Sequence, residues 1–329
     1  MRVVITGGAG FLGKLLAAKI LERGELTDAS GQLREISELV LVDMAAAHGE
    51  PWIADKRVSQ VIGDVADRNV LAQAMAANTG SVFHLAAVVS GQAEADFDIG
   101  MRVNVDSTRT LLELTRTLPT PPKFVFTSSI AVFRGALPAV LPDDQILTPQ
   151  GSYGAQKAMG ELLVSDMSRK GMIDGRSLRL PTVTVRPGKP NQAASSFASG
   201  IIREPLAGVD AVCPASPDAK MWVQSPPRVI DNVLIGHEAP ASSLVNTRSI
   251  SVPGITVSVH DMVDSLRRVA GDAVADRVTW QLDPVIDRLV SSWPQAFSAE
   301  RGKILGMTAD ASFDDMVRAH MGYVNSTKE

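Results

Sequence analysis

The most reactive pair of side chains in this sequence is a tyrosine and a lysine four residues apart, Tyr153 and Lys157. Residues at positions i and i+4 share a helix face, so the ammonium can lie beside the phenol and favour its ionised form. An ordinary phenol titrates near ~10, and lowering its pKa by ~3 units requires ~4 kcal/mol. A cation about 4 Å away at an effective dielectric of ~20 supplies energy of that order. The pattern therefore predicts a tyrosine that acts as an acid or base.

A Tyr-x-x-x-Lys pair alone is weak evidence, but a glycine-rich loop near the start of the chain adds context. The pattern Gly8-x-Gly10-x-x-Gly13 follows an apolar strand and precedes a helix, as in dinucleotide-binding proteins. Glycines let the backbone approach a pyrophosphate, whose charge the helix N-terminus then stabilises. The alternative is a tight turn that binds no ligand. The residues expected to contact the dinucleotide here are Gly7, Gly10, Phe11, Leu12 and Gly13.

An acidic residue, Asp43, ends the second predicted strand. At that position a carboxylate can accept hydrogen bonds from the adenosine ribose hydroxyls and repel a 2′-phosphate. Its neighbours Met44 and Ala45 offer no arginine for such a phosphate, so we expect NAD rather than NADP. The alternative role for Asp43 is a strand-end cap. Asp64, after the third strand, is a weaker candidate for the adenine amino group.

Composition excludes several classes of protein. With 45% hydrophobic and 21% charged residues, the chain is typical of soluble globular proteins, and its net charge of −4 argues against a nucleic-acid surface. Cys213 is the only cysteine, which excludes a disulfide framework, and the histidines show no metal-ligand spacing. The chain enters a strand at once, and no apolar run is long enough to cross a bilayer. We therefore expect a cytoplasmic protein without a signal peptide, a metal or a membrane partner.

Apolar segments alternate with helical patterns over the first 188 residues. Strands are predicted at residues 2–6, 38–43, 58–62, 81–85, 123–127 and 177–185, and helices at 11–23, 67–78, 95–117 and from Tyr153 to about Lys170. Residues 25–37 are expected to form a loop or a helix extension. Such alternation predicts a parallel sheet with helices on both faces, and ligands of these sheets gather at the carboxyl ends of the strands. The candidate residues lie at those ends or on the adjacent helix.

The pattern changes after Gly188, where prolines and small polar residues become frequent. We predict an α/β fold, a Rossmann-type doubly wound parallel sheet with a smaller C-terminal lobe. Residues 1–188 would bind NAD and residues 189–329 mainly substrate, with some segments of the lobe able to return to the Rossmann sheet. Helices of the lobe are predicted near 195–207, 228–238, 259–270 and 311–321.

With these residues in hand, the chain resembles the extended short-chain dehydrogenases/reductases, the superfamily of NAD-dependent epimerases and dehydratases, over nearly its whole length. The matching segments are residues 6–13, Asp43, Asp64-Val65, Leu85-Ala86-Ala87, Asn104 within 102–105, Ser128-Ser129 within 128–133, and Tyr153 with Lys157. Together these motifs are highly specific.

The resemblance implies that Ser129 hydrogen-bonds the reacting oxygen, Tyr153 is the acid or base, and Lys157 also holds the nicotinamide ribose. Asn104 would brace the site from its helix, although an ordinary hydrogen bond within a helix is as good an explanation. The remaining positions that the resemblance assigns to cofactor binding are Asp64, Val65, Leu85, Ala86, Ala87, Asn104, Thr127, Pro181, Thr182 and Val183.

The sequence departs from the nucleotide-sugar enzymes at two segments. Phe133-Arg134-Gly135 stands where those enzymes usually carry Tyr-Gly, and residues 180–188 replace their usual asparagine-containing segment. The run from Arg179 to Gly208 is instead similar to bacterial D-erythronate dehydrogenases. A sugar-acid substrate is therefore expected in place of a nucleotide sugar.

A cradle for such a sugar acid is predicted after the sixth strand. A guanidinium suits a carboxylate well, so Arg186 or Lys189 is expected to bind the acid group. An ordinary surface ion pair is an equally good explanation for either cation. Hydroxyl contacts would come from Asn191, Ser195 and Ser90, although Ser90 could equally cap a turn.

The sequence thus leads to one hypothesis and two rivals. The hypothesis is NAD-dependent oxidation at C2 of D-erythronate, a four-carbon sugar acid, with Ser129, Tyr153 and Lys157 at the reacting centre. One rival is a nucleotide-sugar epimerase or dehydratase that keeps its NAD bound, and the other is a non-catalytic NAD-sensing protein on the same fold. The resemblance also implies a homodimer formed by the helices around residues 102–117 and 153–170.

Overall fold

The computed structural model of the chain describes residues 1–188, 193–244 and 247–326. The strands are β1 Arg2–Thr6, β2 Glu25–Thr27, β3 Leu33–Glu35, β4 Glu38–Asp43, β5 Val58–Ile62, β6 Thr79–His84, β7 Lys123–Ser129, β8 Asp174–Leu180, β9 Thr182–Val183, β10 Ala211–Cys213, β11 Lys220–Gln224, β12 Ser249–Ser251, β13 Ile255–Ser258 and β14 Val278–Trp280.

The helices are α1 Phe11–Arg23, α2 Arg68–Ala74, α3 Ser90–Ala95, α4 Phe97–Gly100, α5 Ser107–Thr115, α6 Ser152–Arg169, α7 Ser196–Leu206, α8 Pro226–Glu238, α9 Val259–Ala270, α10 Asp272–Ala275, α11 Pro284–Ser291, α12 Glu300–Ile304 and α13 Phe313–Ser326. A π-helical segment, Met101–Asp106, connects α4 to α5. No helix within the described ranges is long and apolar enough to cross a membrane.

The chain forms two compact units whose segments interleave. The first unit contains residues 1–129, 151–179 and 230–250, and the second contains residues 130–150, 180–229 and 251–329. The expected division had a single boundary after residue 188, so it differs from the structure at residues 130–150 and 180–188. Residues 230–250 return to the first unit because β12 lies beside β8 at the edge of the large sheet.

A seven-stranded sheet organises the first unit in the order β12-β8-β7-β6-β1-β4-β5. The pairs β1–β4, β4–β5, β1–β6 and β6–β7 are parallel. The chain leaves β1 on one side for β4 and β5, then crosses to the other side for β6. Ligands of doubly wound sheets bind where the strand order reverses in this way, at the carboxyl ends. The glycine-rich loop follows β1 and therefore lies at this position.

Apolar strand residues are packed between the sheet and its helices. Val4, Val40, Phe124 and Phe126 are at most 2% exposed and belong to one core cluster with Leu111 of α5. These strands are buried on both faces, which explains their nearly continuous apolar sequences. The predicted Rossmann-type α/β class is confirmed.

Three predicted elements differ from the structure. Residues 25–37 contain a hairpin, β2–β3, whose strands are only three residues long and whose turn includes Gly31 at φ 81°. The helix predicted from residue 95 begins at Phe97, because Asp96 is extended and its side chain caps the Ile99 N–H. The strand predicted at 177–185 is divided at Pro181, which has no N–H to donate to a ladder.

The second unit has its own sheet and core. Strand β11 pairs antiparallel with β13 and parallel with β9, and β10 pairs with β14. Its core cluster includes Ile201, Met221, Val257 and Leu266. Helices α7, α8, α9 and α13 form close to the positions that the sequence predicted.

Candidate active site

At Gly7 and Gly13 the glycine-rich loop packs too closely on its neighbours for a side chain. Gly7 has φ 72°, and its N–H donates to the Val42 carbonyl at 2.8 Å. A Cβ on Gly13 would lie 2.1 Å from the Gly7 oxygen, and a Cβ on Gly7 would lie 2.9 Å from the Ala86 nitrogen. Helix α1 begins directly after this loop at Phe11. The loop is therefore a backbone cradle at a helix N-terminus, which fits a pyrophosphate.

Asp43 ends β4 and ties the glycine loop to the sheet. Its Oδ2 accepts a hydrogen bond from the Ala9 N–H at 3.0 Å, and its Oδ1 accepts one from the Met44 N–H at 2.8 Å. The strand-end cap considered for Asp43 is therefore present. Each carboxylate oxygen has a second acceptor site, so the same side chain can still receive ribose hydroxyls.

The second acidic candidate, Asp64, is an ion-pair partner. It accepts a hydrogen bond from the Ala66 N–H at 2.9 Å and contacts the guanidinium of Arg102. Burial opposes ionisation, but these two contacts together hold the pKa of the Asp64 carboxyl below its usual range. Val65 beside it is buried. Because the Arg102 pair already engages Asp64, its role toward adenine stays a prediction.

The loop after β6 is fixed to β1 by hydrogen bonds from its backbone. The N–H of Leu85 donates to the Thr6 carbonyl at 3.1 Å, and the N–H of Ala86 to Thr6 Oγ1 at 3.3 Å. Ala87 follows them and is half-buried. These contacts place residues 85–87 next to the glycine loop, because a Cβ on Gly7 would touch Ala86.

A buried histidine supports this loop, and the sequence did not identify it. His84 Nδ1 lies 2.6 Å from Thr6 Oγ1, and its Nε2 lies 2.8 Å from Thr108 Oγ1. Burial, together with the charge of Lys157, lowers the pKa of His84 to about 3, so the ring is neutral. A lone histidine at a strand end carries no signal of this role until its partners are known.

Lys157 points into the protein toward the end of β7. Its Nζ donates a hydrogen bond to the Thr127 carbonyl at 2.8 Å and lies 4.7 Å from the centroid of the Phe126 ring. The same atom lies 5.7 Å from the centroid of the Tyr153 ring. Burial lowers the pKa of Lys157 to about 7, so at neutral pH the ammonium and amine forms are close in free energy. In its ammonium form, a lysine this close to a phenol favours the ionised phenol.

The two serines at the end of β7 have different environments. Ser128 is buried, and its hydroxyl donates to Glu161 Oε1 at 2.6 Å. Ser129, the last residue of the strand, is half-buried. Ser128 is therefore engaged within the fold. Contact of the Ser129 hydroxyl with a ligand stays a prediction.

Tyr153 occupies the first turn of α6, one turn before Lys157, and is half-buried. The N-terminus of this helix is held by Glu94, whose Oε2 accepts the Ser152 N–H at 2.9 Å. Thr127 serves as support, because its carbonyl accepts from Lys157 and its hydroxyl donates to the His84 carbonyl at 3.0 Å.

Asn104 braces two elements around this group. Its Oδ1 accepts the Val88 N–H at 2.9 Å, and its Nδ2 donates to the Val88 carbonyl at 3.2 Å and to Gln156 Oε1 at 2.7 Å. Asn104 is 1% exposed and lies in the π-helical segment. Its amide thus links the loop after β6 to α6, which makes it a brace; direct contact with the cofactor stays a prediction.

The remaining candidates are distributed as follows. Ser90 is the first residue of α3 in the first unit. In the second unit, Pro181 precedes β9, which contains Thr182 and Val183, and Ser195 is the N-cap residue of α7. The backbone of Arg186 is held on both sides, since its N–H donates to Ser199 Oγ at 3.1 Å and its carbonyl accepts from Arg203 at 2.9 Å. Lys189 and Asn191 lie outside the described residues.

Within the first unit, the structure gathers one constellation at the carboxyl ends of the parallel strands. It contains the glycine loop after β1, Asp43 at the end of β4, residues 85–87 after β6, Ser129 at the end of β7, and Tyr153 with Lys157 on α6. A dinucleotide cradle, a hydroxyl and a phenol coupled to an amine are the parts needed to move a proton and a hydride.

Comparisons with known proteins agree with this chemistry. A family model described as the NAD dependent epimerase/dehydratase family matches residues 3–220. The chain is 55% identical over 321 residues to the D-erythronate dehydrogenase of Cupriavidus necator, with 98% of both chains covered. It is 39% identical over 326 residues to the D-erythronate dehydrogenase of Haemophilus influenzae, covering 98% of this chain and 99% of that one. A crystal structure of a nucleoside-diphosphate-sugar epimerase from Agrobacterium tumefaciens matches with a TM-score of 0.91 at 36% identity, covering 98% of this chain and 94% of that one.

Proposed function

Since this chain belongs to the NAD dependent epimerase/dehydratase family, we propose that it is an NAD-dependent dehydrogenase that oxidises the C2 hydroxyl of D-erythronate to 2-oxo-D-erythronate. The observation that carries the proposal is the 55% identity to a D-erythronate dehydrogenase over 98% of both chains. The first unit supports the proposal, because it combines a glycine-rich loop after β1 with Ser129 at the end of β7 and with Tyr153 and Lys157 on α6.

NAD fits the first unit at three places. At Gly7 and Gly13 the backbone is packed too closely for a Cβ, as expected where a backbone approaches a pyrophosphate. Asp43 presents a carboxylate at the end of β4 for the ribose hydroxyls, and Lys157 would hold the nicotinamide ribose. When bound, NAD supplies the two-electron oxidant that accepts hydride from the substrate carbon.

The role of the protein side chains is then to remove the proton of the C2 hydroxyl. Tyr153 takes the proton of the C2 hydroxyl, and Ser129 donates a hydrogen bond to the same oxygen and orients it. Lys157 stabilises the phenolate form of Tyr153 while its Nζ stays anchored on the Thr127 carbonyl. Positioned base catalysis of this kind typically contributes ~10²–10⁴-fold to the rate.

Arg186 is the proposed partner of the substrate carboxylate. Arg186 follows β9, and its backbone is anchored to α7 through Ser199 and Arg203, which fixes the base of a guanidinium suited to a carboxylate. Lys189 is the alternative cation. Ser90, Asn191 and Ser195 are the proposed partners of the sugar-acid hydroxyls.

The test is net formation of NADH, followed by absorbance, from NAD and a panel of four-carbon sugar acids. We expect D-erythronate to be oxidised and Y153F to lose at least ~10²-fold in turnover while still binding NAD. The chain has one other tyrosine, Tyr323 of α13, so Y323F is the matched control and should behave as the wild type. Near-full turnover by Y153F would exclude Tyr153 as the base.

A second candidate is a nucleotide-sugar epimerase, since the A. tumefaciens structure carries that description at 36% identity. An epimerase returns its electrons to the substrate, so it would form no net NADH and would bind UDP-sugars. The segments Phe133-Arg134-Gly135 and 180–188, which differ from nucleotide-sugar enzymes, favour the dehydrogenase. Accumulation of NADH with a sugar acid, and none with UDP-sugars, would decide for it.

We also propose a cytoplasmic homodimer in which α6 packs on its counterpart. Met159 and Leu162, one turn apart on that helix, are 38% and 67% exposed, as expected for an apolar face that a second copy covers. Light scattering should report a dimer, and L162E should shift the protein toward the monomer.

A further inference from the structure

One buried ion pair lies beside the proposed site and has no part in the proton transfer. Arg179, near the end of β8, donates from Nε to Glu161 Oε1 at 3.0 Å and from Nη2 to Glu161 Oε2 at 2.7 Å. The two side chains are 7% and 3% exposed. The same Glu161 Oε1 accepts the hydroxyl of Ser128, the residue before Ser129, at 2.6 Å. Three elements, β8, α6 and β7, therefore meet at one carboxylate.

Three successive residues of β7 contact α6, at Gly160, Lys157 and Glu161. Phe126 packs on Gly160 so closely that a Cβ there would lie 2.5 Å from the ring. The carbonyl of Thr127 accepts from Lys157, and the hydroxyl of Ser128 donates to Glu161. Glu161 follows Lys157 by four residues, as Lys157 follows Tyr153, so all three share one helix face. The Glu161 contact thus sets how α6 is placed along and around β7.

Stability alone gives no reason for such a pair. Burying two charges requires desolvation that their attraction often fails to offset, and apolar pairs of similar volume are often at least as stable. A bidentate guanidinium–carboxylate contact does, however, fix the relative position of its two backbones in a way that apolar packing does not.

We propose that Glu161 and Arg179 are positioning residues: through Ser128 they hold α6 in register with β7 and so set the distance from Tyr153 and Lys157 to Ser129. This inference rests on the proposed function of those three residues. Glu161 and Arg179 touch neither substrate nor cofactor in this scheme. They act on the reaction only through the placement of groups that do.

The experiment compares two carboxylate-to-amide variants, E161Q and D174N. Asp174 is the matched control because it lies at the opposite end of β8 and pairs with Arg176 and Arg248 at 2.8 and 2.9 Å. Thermal unfolding is measured for both variants. Their kcat, KM for NAD and pH dependence of kcat/KM are then measured at a temperature below both unfolding transitions. S128A removes one hydroxyl and leaves the ion pair in place, so it serves if E161Q does not fold.

We expect both amide variants to unfold at lower temperature, but only E161Q to change the reaction. Its kcat should fall on the order of 10-fold, since a misplacement of about 1 Å can cost ~10²-fold, while KM for NAD stays near the wild-type value. The acidic limb of the kcat/KM–pH profile of E161Q should move to higher pH, because a phenol farther from Lys157 is harder to ionise. S128A should show the same two changes to a smaller degree.

Two results would overturn the inference. In the first, E161Q, or S128A where E161Q does not fold, keeps the wild-type kcat and pH profile. In the second, D174N loses as much kcat and shifts the acidic limb as far as E161Q, which would mark a general effect of destabilisation. Neither result is confused with failure of the proposed function, because in that case the wild type would form no NADH from any sugar acid and Y153F would change nothing.

Discussion

Replacing Lys157 with methionine should make the unliganded protein more stable at neutral pH while abolishing its activity. Burial lowers the pKa of Lys157 from an ordinary value of 10.5 to about 7. At about 1.4 kcal/mol per pKa unit, that gap corresponds to roughly 5 kcal/mol of destabilisation when the ammonium is kept in the fold. Methionine has a similar length and requires no such desolvation. It loses the hydrogen bond to the Thr127 carbonyl, which offsets about 1–3 kcal/mol.

The pH dependence gives the sharper test, because its sign is fixed by the two pKa values. Between about pH 7 and 10.5 the unfolded lysine holds a proton that the folded one has released, so wild-type stability rises with pH in this window. Below about pH 7 both states are protonated and the full penalty applies. The stability advantage of K157M should therefore be largest at pH 6 and should shrink by roughly 3 kcal/mol by pH 9.5.

The assay is urea unfolding of both proteins without NAD at several pH values, with Lys170→Met as the control. Lys170 follows α6 and is 48% exposed, so its replacement should produce no comparable trend. A K157M advantage that stayed constant from pH 6 to pH 10 would refute the reasoning, since it would mean that Lys157 carries its proton equally in both states.

Three further predictions concern the cofactor cradle and its supports. G13A should lower the free energy of unfolding by about 1–3 kcal/mol and weaken NAD binding, because its Cβ would lie 2.1 Å from the Gly7 oxygen. G322A is the control: this glycine is helical and an added Cβ would meet no neighbouring group within 4 Å, so the variant should gain up to ~1 kcal/mol of stability in thermal unfolding. D43N should reduce the preference for NAD over NADP in kcat/KM roughly 10- to 100-fold, the value of a charge-assisted hydrogen bond, and an unchanged preference would argue against ribose binding by Asp43. N104A should cost about 1–3 kcal/mol in chemical denaturation, because the partly buried Val88 N–H loses its acceptor. A variant as stable as the wild type would show that water replaces the amide.

The sequence was sufficient for those parts of the site that depend on local spacing. The glycine loop, the acidic end of β4 and the Tyr153–Lys157 helix were all predicted, because a strand, a turn and a helix face each leave a short-range pattern. The division of the last predicted strand also had a local signal that was overlooked, the missing N–H of Pro181. The hairpin at 25–37 had one too, Gly31 next to Asp28 and Ser30, but its strands are too short for a periodic pattern.

The supports of the site could not be predicted in this way, because they join residues that are far apart in sequence. Glu161 meets Arg179 only because β8 lies beside β7 in the sheet. His84 meets Thr6 because β6 lies beside β1, and it meets Thr108 because α5 packs against the same sheet. Each of these polar residues alone looks like an ordinary surface or helix residue. Their roles follow from strand order, which local patterns do not specify.

Helix α6 buries two charged groups one turn apart, and their different partners point to different tasks. Glu161 receives a guanidinium and a hydroxyl, whereas Lys157 donates to a neutral carbonyl and pairs with no carboxylate among the described residues. A carboxylate beside Lys157 would keep it permanently charged and would cancel much of its field at the phenol. With a carbonyl as its partner, the ammonium of Lys157 keeps its field at Tyr153. The buried charge lowers the stability of the fold and in return favours the phenolate that serves as the base. The Glu161–Arg179 ion pair holds α6 in place, and Lys157 tunes the ionisation of Tyr153.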